Sequence, residues 1–163
     1  ELGPGDGALL RTFETRGWTC YAVEPGTWTR GHPRIFDRLD KIPRSLKFHV
    51  IVANDVLEHV ASPTHTVAAL SKKLMPGGRF YCSFPNSDSM RAQNQHTSWR
   101  MVRPLGHLRY FSRESARKMI QSCGLALEST ATYDHLSPPK GQLAKALGLW
   151  KTPKRAYTTF FVT

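Results

Sequence analysis

Three glycines at alternate positions near the start of the sequence are the residues whose types and spacing most clearly predict a chemical role. Gly3, Gly5 and Gly7 let the backbone turn tightly and let a ligand approach main-chain atoms that no Cβ shields. Glu24 ends the next apolar run, at a distance typical of the acid that accepts hydrogen bonds from both ribose hydroxyls. The spacing therefore predicts a binding site for an adenosine-containing cofactor.

Glu1 distinguishes between the cofactors that such a turn can bind. The G-x-G-x-x-A run that begins at Gly3 also satisfies the dinucleotide fingerprint, and Glu24 would serve the ribose of NAD equally well. However, an acid two positions before the first glycine repels a pyrophosphate, whereas it suits the cationic amino acid portion of S-adenosylmethionine. The complete run, E-x-G-x-G-x-G, resembles the first motif of class I S-adenosylmethionine-dependent methyltransferases. This resemblance implies that Glu1 and the three glycines hold the methionine part of S-adenosylmethionine and that Glu24 holds its ribose.

The elements around these residues predict one half of a doubly wound α/β domain. Leu9, Leu10 and Phe13 have helical spacing after the glycine turn, and Gly17 fits the end of that helix. A short apolar strand over residues 20–23 then leads into the acid. Glycine turn, helix, strand and acid thus occur in the order of a nucleotide-binding unit.

A second unit is predicted in the middle of the chain. Residues 48–53 are apolar and rich in β-branched side chains, which favours a strand buried on both faces. Ligands of an open α/β sheet lie beyond the carboxyl ends of its strands, so the residues that follow are expected to face the cofactor. Those residues are Asn54, Asp55, Val56 and Leu57.

A helix and a further strand are expected after this loop. Ser62 and Pro63 are typical of a helix start, and Val67, Leu70 and Leu74 would share one face of the helix. The run M-P-G-G over residues 75–78 is expected to end the helix before a strand over residues 79–84.

The motifs around these elements resemble one branch of the class I methyltransferases. V-L-E-H after the first strand and L-x-P-G-G before the second resemble ubiquinone- and menaquinone-biosynthesis-type enzymes, and the resemblance covers nearly all of residues 1–134. It implies a Rossmann-like doubly wound sheet of strand order 3-2-1-4-5-7-6, with strand 7 antiparallel. Because the chain opens at the glycine turn, strand 1 is expected to be mostly missing. Residues 1–163 are then a single methyltransferase domain, a fragment without its N-terminal part.

The end of the chain favours a methyltransferase over a dehydrogenase. A strand is predicted from residue 125 to about 133, a short helix near residues 142–147 and a last strand over residues 157–162. A terminal antiparallel hairpin of this kind is a methyltransferase feature. A dinucleotide-binding domain would instead continue with another parallel strand.

Three further residues are candidates for contacts with the adenine. The predicted third strand ends near Asp37, and in the family this acid often contacts the adenine amino group; Asp40 competes for the role. Pro25, directly after the ribose acid, either packs on the adenine or is an ordinary turn proline.

Residues 87–111 are expected to form an inserted substrate lid that contains the catalytic residue. The segment is polar and has no sustained period. His107 precedes the next helix, over about residues 113–123, where the family branch places a histidine, so it is the candidate base for a phenol or alcohol acceptor. A capping or packing role is the alternative. His59, His96 and Tyr110 are weaker candidates.

Composition excludes several other classes of protein. No apolar run approaches the ~20 residues of a membrane span, and the three cysteines form no C-x-x-C pair. Reduced cysteines favour a cytoplasmic location. No metal site is expected, because His59 and His65 lie six residues apart without a convergent acid cluster.

Charge leaves the acceptor open. The chain has 23 Lys and Arg against 12 Asp and Glu, a formal net charge of +11. This excess could bind nucleic acid or an anionic membrane surface, or it could be solvated surface. We expect methyl transfer from S-adenosylmethionine to a small-molecule or lipid-like acceptor, at oxygen. The alternatives are an RNA or other polyanion methyltransferase, and a non-catalytic nucleotide-binding domain of the same fold.

Overall fold

Parallel strands separated by helices form the first part of the structure. The computed structural model describes residues 1–26, 32–103, 105–133 and 157–162. In chain order its elements are α1 (Ala8–Glu14), β1 (Ala22–Val23), β2 (Ile35–Phe36), β3 (Phe48–Asn54), α2 (Pro63–Ser71), β4 (Leu74–Pro85), α3 (Met90–Gln95), α4 (Arg113–Ser122), β5 (Leu127–Tyr133) and β6 (Tyr157–Val162). Short 3-10 turns occupy Leu39–Lys41 and His96–Ser98. The alternation of helices with parallel strands confirms the predicted α/β class.

The strands pair in two groups that Leu2 connects. β1 pairs in parallel with β2, and β3 pairs in parallel with β4. β6 lies antiparallel between β4 and β5. Leu2 forms parallel bridges with Val23 of β1 and with Ala53 of β3, at the place of strand 1 in the predicted order. The complete seven-strand order stays a prediction.

β3 is less buried than its sequence predicts. Ile51 and Ala53 belong to the core, but His49 and Val50 are exposed, Val50 by 39%. One edge of β3 pairs with β4 along its length. On the other edge of β3, the bridge among the described residues is the one between Leu2 and Ala53. The prediction of a strand buried on both faces is therefore wrong for its first half, because an apolar run does not show which neighbours cover it.

The glycine-containing run before the predicted strand at residues 79–84 lies inside β4. The pairing register shifts between Phe48 and Val50 of β3, opposite residues 75–78 of β4. Gly77 has a φ of +75°, a conformation that glycine adopts without strain. The prediction that this run ends the helix is wrong, because α2 already ends at Ser71. The run lies within β4, where its glycines permit an irregularity of the strand.

Two serines precede helices, and the structure distinguishes their roles. Ser112 accepts a hydrogen bond from the backbone N–H of Ser115, whose hydroxyl accepts the N–H of Ser112 in return. This capping box fixes the start of α4. Ser62 occupies the equivalent position of α2, but its side chain makes no capping hydrogen bond, so Pro63 provides the remaining start signal.

The hydrophobic core joins α2 and α4 to the sheet. Val67 and Leu70 of α2 are buried, as predicted, but Leu74, the third residue of the predicted apolar face, lies in β4. Met119 and Ile120 of α4 pack in the same cluster, together with Cys82 of β4. The thiols of all three cysteines are free. In the described ranges, no helix combines the length and the apolar character needed to cross a bilayer.

Residues 87–111 leave the sheet and return to it at one point. Asn86 and Phe111 form a parallel bridge, so the two ends of the segment meet. Although its sequence has no sustained period, the segment contains α3 and a 3-10 turn. Trp99 and Met101 form a small buried cluster within it. The short helix predicted near residues 142–147 lies outside the described residues.

Candidate functional site

The glycine turn has backbone conformations that favour glycine. Gly3, Gly5 and Gly7 have φ values of +66°, +55° and +76°. A Cβ on Gly3 would lie 2.6 Å from Cγ2 of Val56, so the turn packs directly against the loop that follows β3. Gly7 is the N-cap of α1. Two segments that were predicted separately to bind the cofactor are therefore in contact.

A cavity of about 960 Å³ lies beside this turn, at the carboxyl ends of β1, β2 and β3. Its size is in the range of pockets that hold a cofactor or a drug-sized ligand. Most of the predicted cofactor residues line it, namely Gly3, Gly5, Glu24, Pro25, Asp37, Asp55 and Val56. Glu1, Gly7, Asn54 and Leu57 are not among the lining residues.

Acidic side chains line the cavity after β1 and β2. Oε1 of Glu24 accepts a hydrogen bond of 2.7 Å from the N–H of Gly26, which orients the carboxylate. Asp37 and Asp40 both line the cavity. Two hydrogen bonds from the Arg38 guanidinium hold Asp40, and they lower the pKa of that carboxyl. Asp37 is therefore better placed than Asp40 to accept a bond from a ligand.

Three predicted cofactor residues have their side chains elsewhere. Leu57 is fully buried in the core. Oδ1 of Asn54 accepts a hydrogen bond from the hydroxyl of Ser83. Glu1 lines a different, smaller pocket together with Tyr21, and burial raises the pKa of its carboxyl. These side chains do not line the cavity, and the pattern of the motifs did not indicate this.

Asp55 is held in a conformation that is rare outside glycine. Its φ is +50°, and its N–H donates a hydrogen bond of 3.0 Å to the carbonyl of Ser83. Such backbone conformations persist where the surrounding structure enforces them, and they are frequent at ligand-binding sites. The sharp turn at Asp55 directs the chain from the end of β3 to Val56, which contacts the glycine turn.

Glu58 is the residue of this site that sequence analysis missed. It is only 1% exposed, and neither carboxyl oxygen has a hydrogen-bond partner within the described part of the chain. Burial raises the pKa of Glu58 to about 7, and the charge of Asp55 adds to the effect. The available signal was an acid directly after the apolar pair Val56 and Leu57, next to a core strand.

His107 is buried beside Glu58 and His59. Its ring centroid lies 4.7 Å from that of His59, with the planes inclined by 77°. The Nδ1 atom of His107 is buried and makes no hydrogen bond to any described residue. Burial lowers the pKa of His107, and the neighbouring His59 adds to this shift, so the ring is neutral at pH 7. His59 also lines the large cavity, which makes the two sites adjacent.

The two weaker candidates lie in other surroundings. The Tyr110 hydroxyl accepts a hydrogen bond from the N–H of Arg103, and its ring centroid lies 6.3 Å from that of His107. His96 is exposed at the start of the 3-10 turn, with a positive φ of +47°. Both side chains are exposed, whereas His107 is buried with an unpartnered ring nitrogen among the described residues.

Comparison with protein families decides the class of the chain. Residues 1–130 match the family described as "Methyltransferase domain". The chain belongs to this family. It is an S-adenosylmethionine-dependent methyltransferase, as the glycine turn and the acid that follows it predict. A sequence comparison with curated proteins found no match.

Solved structures of methyltransferases share the fold. A SAM-dependent methyltransferase from Archaeoglobus fulgidus has a TM-score of 0.72 at 10% identity, over 99% of this chain and 83% of that one. A complex of the Haloferax volcanii Trm112 methyltransferase activator with a methyltransferase gives 0.72 at 16% identity, over 99% and 80%. The glycopeptide N-methyltransferase MtfA, complexed with the S-adenosylmethionine analogue sinefungin, gives 0.63 at 13% identity, over 99% and 78%.

The described residues of this methyltransferase fit S-adenosylmethionine. No described heavy atom would lie within 4 Å of a Cβ on Gly5, so the main chain there is open to a ligand. The carboxylate of Glu24 is already oriented by Gly26. A glycine turn open to the cavity and an oriented acid are what the amino acid and ribose parts of the cofactor require.

Proposed function

We propose that this methyltransferase transfers the methyl group of S-adenosylmethionine to a hydroxyl oxygen of a small-molecule or lipid-like acceptor. The observation that carries the proposal is the buried, neutral imidazole of His107, whose Nδ1 makes no hydrogen bond to any described residue. A hydroxyl must lose its proton as its oxygen attacks, and a neutral imidazole accepts such a proton. His59, whose ring centroid lies 4.7 Å from that of His107, lines the cofactor cavity.

The cofactor is proposed to occupy the 960 Å³ cavity. Glu24 would accept the ribose hydroxyls, Asp37 the adenine amino group, and Pro25 would pack on the adenine. The methionine part would follow the glycine turn, and the loop after β3 would close the other side. S-adenosylmethionine, when bound, supplies a methyl group already activated by a positive sulfur. The residues around it therefore need only align the acceptor and exclude water.

Residues 87–111 are proposed as the substrate lid of this site. Nδ1–H of His59 donates a hydrogen bond of 2.8 Å to the carbonyl of Gly106. The carbonyl of Glu58 accepts the N–H groups of Leu108 and Arg109. These bonds attach the returning part of the segment to the loop that faces the cofactor. A small-molecule acceptor is also supported by the V-L-E-H and L-x-P-G-G motifs, which resemble the motifs of ubiquinone-biosynthesis-type methyltransferases.

An RNA or other polyanion is the second candidate acceptor. Arg100, Arg103 and Arg109 of the proposed lid are exposed, and the chain carries a formal charge of +11. Cationic side chains at this position would attract a phosphate backbone, and binding would then weaken steeply with salt. A small neutral acceptor would show little salt dependence.

Labelled S-adenosylmethionine tests the oxygen target against a panel of phenols, alcohols, amines and RNA. We expect an O-methylated product from a phenol or alcohol. His107→Ala should lower kcat by roughly 10²–10⁴ with unchanged affinity for S-adenosylhomocysteine, because it removes the proton acceptor. His96→Ala is the control, since His96 is exposed on the same segment. Methyl transfer to amines alone, at an undiminished rate in His107→Ala, would contradict the proposal.

A further inference from the structure

We propose that a second cavity of this chain, here called the cationic cavity, binds a small molecule that carries a diphosphate group. The cavity has a volume of about 390 Å³, and its lining residues come from α2 and from the segment before β3. A concave site of this size is in the range of pockets that hold small ligands. It is lined by four cationic side chains and, among the described residues, by no acid: Arg44, Lys47, Lys72 and Lys73. Such a ligand could bind whatever the acceptor of the methyl group is.

The cations of this cavity have no counter-charge in the part of the chain that the structure describes. The lysines and arginines that form ion pairs there are others, such as Arg34, Arg38 and Arg79. Burial and the charges of Lys47 and Arg44 lower the pKa of Lys73, so the cations of the cavity repel one another. A concave site lined by one sign of charge attracts ligands of the opposite sign, and an anion bound there would relieve the repulsion.

Hydrogen bonds hold the two sides of the cationic cavity together. Nζ of Lys73 donates to the carbonyls of Ile42 and Pro43, at 3.3 and 2.6 Å. Nζ of Lys47 donates to the carbonyl of Lys72, at the end of α2. Because an ammonium group has three donors, these bonds fix both side chains and leave each with at least one donor that no described residue occupies. A site that is fixed in advance loses less entropy when its ligand binds.

The charge of the site favours two linked phosphate groups over one. A phosphate group carries about −2 at most at pH 7, so two linked groups come closer to the four positive charges of the cavity. The guanidinium of Arg44 can bind two phosphate oxygens at once, while the lysines act as point charges.

The cationic cavity adjoins the cofactor cavity, since Arg44, His65 and Lys73 line both. A diphosphate ligand would therefore lie beside the proposed position of the cofactor. Lys72 lines the cationic cavity and is not among the lining residues of the cofactor cavity. Its charge can therefore be removed without changing the wall of the cofactor cavity.

Calorimetric titration of pyrophosphate into the full chain, in a buffer without phosphate, tests the proposal. We expect one pyrophosphate per chain, bound more tightly than inorganic phosphate and more weakly as salt is added. Lys72→Gln and Arg44→Gln should each weaken pyrophosphate binding about 5-fold, the upper range for an exposed ion pair. Lys118→Gln is the matched control, because it removes the same charge from α4, where Lys118 pairs with Glu114. Thermal unfolding shows whether each variant is folded.

Two further titrations identify the source of the diphosphate and the place where it binds. Pyrophosphate binding should persist when S-adenosylhomocysteine saturates the cofactor cavity. Under the same conditions, ADP binding that Lys72→Gln weakens as much as pyrophosphate binding would indicate a nucleoside diphosphate as the ligand. Binding of pyrophosphate without ADP would indicate the free anion or a diphosphate on another small molecule.

Several results would overturn the proposal. A folded chain that binds no pyrophosphate would leave the cations as partners of the carboxyl end of α2, whose dipole also favours positive charge. Pyrophosphate that S-adenosylhomocysteine displaces, with unchanged affinity in Lys72→Gln, would lie at the glycine turn instead. An equal loss of affinity in Lys118→Gln would show attraction by net charge alone. Binding of a single-stranded RNA oligonucleotide without binding of pyrophosphate would exclude the small-molecule class.

Discussion

Gly3 and Val56 are so close that a Cβ on the glycine would lie 2.6 Å from Cγ2 of the valine. The contact joins the glycine turn to the loop after β3, two segments that both line the large cavity. Because the φ of Gly3 is +66°, a side chain there would be strained as well as crowded. The shape of the cofactor site therefore depends on the absence of a side chain at Gly3.

Gly3→Ala should lower the free energy of unfolding by about 1–3 kcal/mol, since the valine must move and the backbone is strained. Gly5→Ala is the matched control: its φ is also positive, but its Cβ would meet no described atom within 4 Å. Gly5→Ala should therefore lower the free energy of unfolding by less than Gly3→Ala does. Urea unfolding measures both. Adding Val56→Ala to Gly3→Ala should recover part of the loss, and full additivity of the two changes would contradict the proposed contact.

Asp37→Ala should weaken binding of S-adenosylhomocysteine by about 1.5–3 kcal/mol, the usual size of a lost hydrogen bond to a charged group. Asp40→Ala should leave the affinity nearly unchanged, because Arg38 already engages Asp40 at the surface. Isothermal calorimetry on both variants distinguishes the two acids. A larger loss of affinity in Asp40→Ala than in Asp37→Ala would show that Asp40, and not Asp37, contacts the adenine.

That most of the predicted cofactor residues would lie together could be predicted from sequence, because the determinants of their positions are local. A glycine turn, the acid at the end of the next strand and the residues after β3 each depend on a few neighbours along the chain. Seven predicted residues line one cavity for this reason. The positions of the Leu57 and Asn54 side chains away from the cavity could not be predicted in this way, because the direction of a side chain beyond a strand depends on packing across the sheet.

The acceptor side depends on contacts that are distant in sequence. The motif V-L-E-H indicated the family, but nothing in it showed that Glu58 would be buried without a partner. The meeting of His59 with His107 depends on how residues 87–111 return to the sheet. His59 was compared only with His65, six residues further along the chain, so its contact with the ring of His107 was missed.

Cys82 should resist alkylation in the native protein. It is fully buried, and burial raises the pKa of its thiol to about 12. Compared with an ordinary thiol, its reactive thiolate should be on the order of 10³ times rarer at pH 8. Cys20 and Cys123 are partly exposed. Mass spectrometry after iodoacetamide treatment should therefore find these two labelled first and Cys82 only in denaturant; early labelling of Cys82 would contradict the described core.

Binding of S-adenosylmethionine to the full chain is the most direct test of the central claim, and Glu24 provides the decisive variant. Calorimetry should show one site for S-adenosylmethionine or S-adenosylhomocysteine, weakened by about 1.5–3 kcal/mol in Glu24→Ala through lost charged hydrogen bonds. Glu14→Ala is the control, since Glu14 pairs with Arg34 and does not line the cavity. Binding of NADH, with no binding of S-adenosylmethionine, would contradict the account.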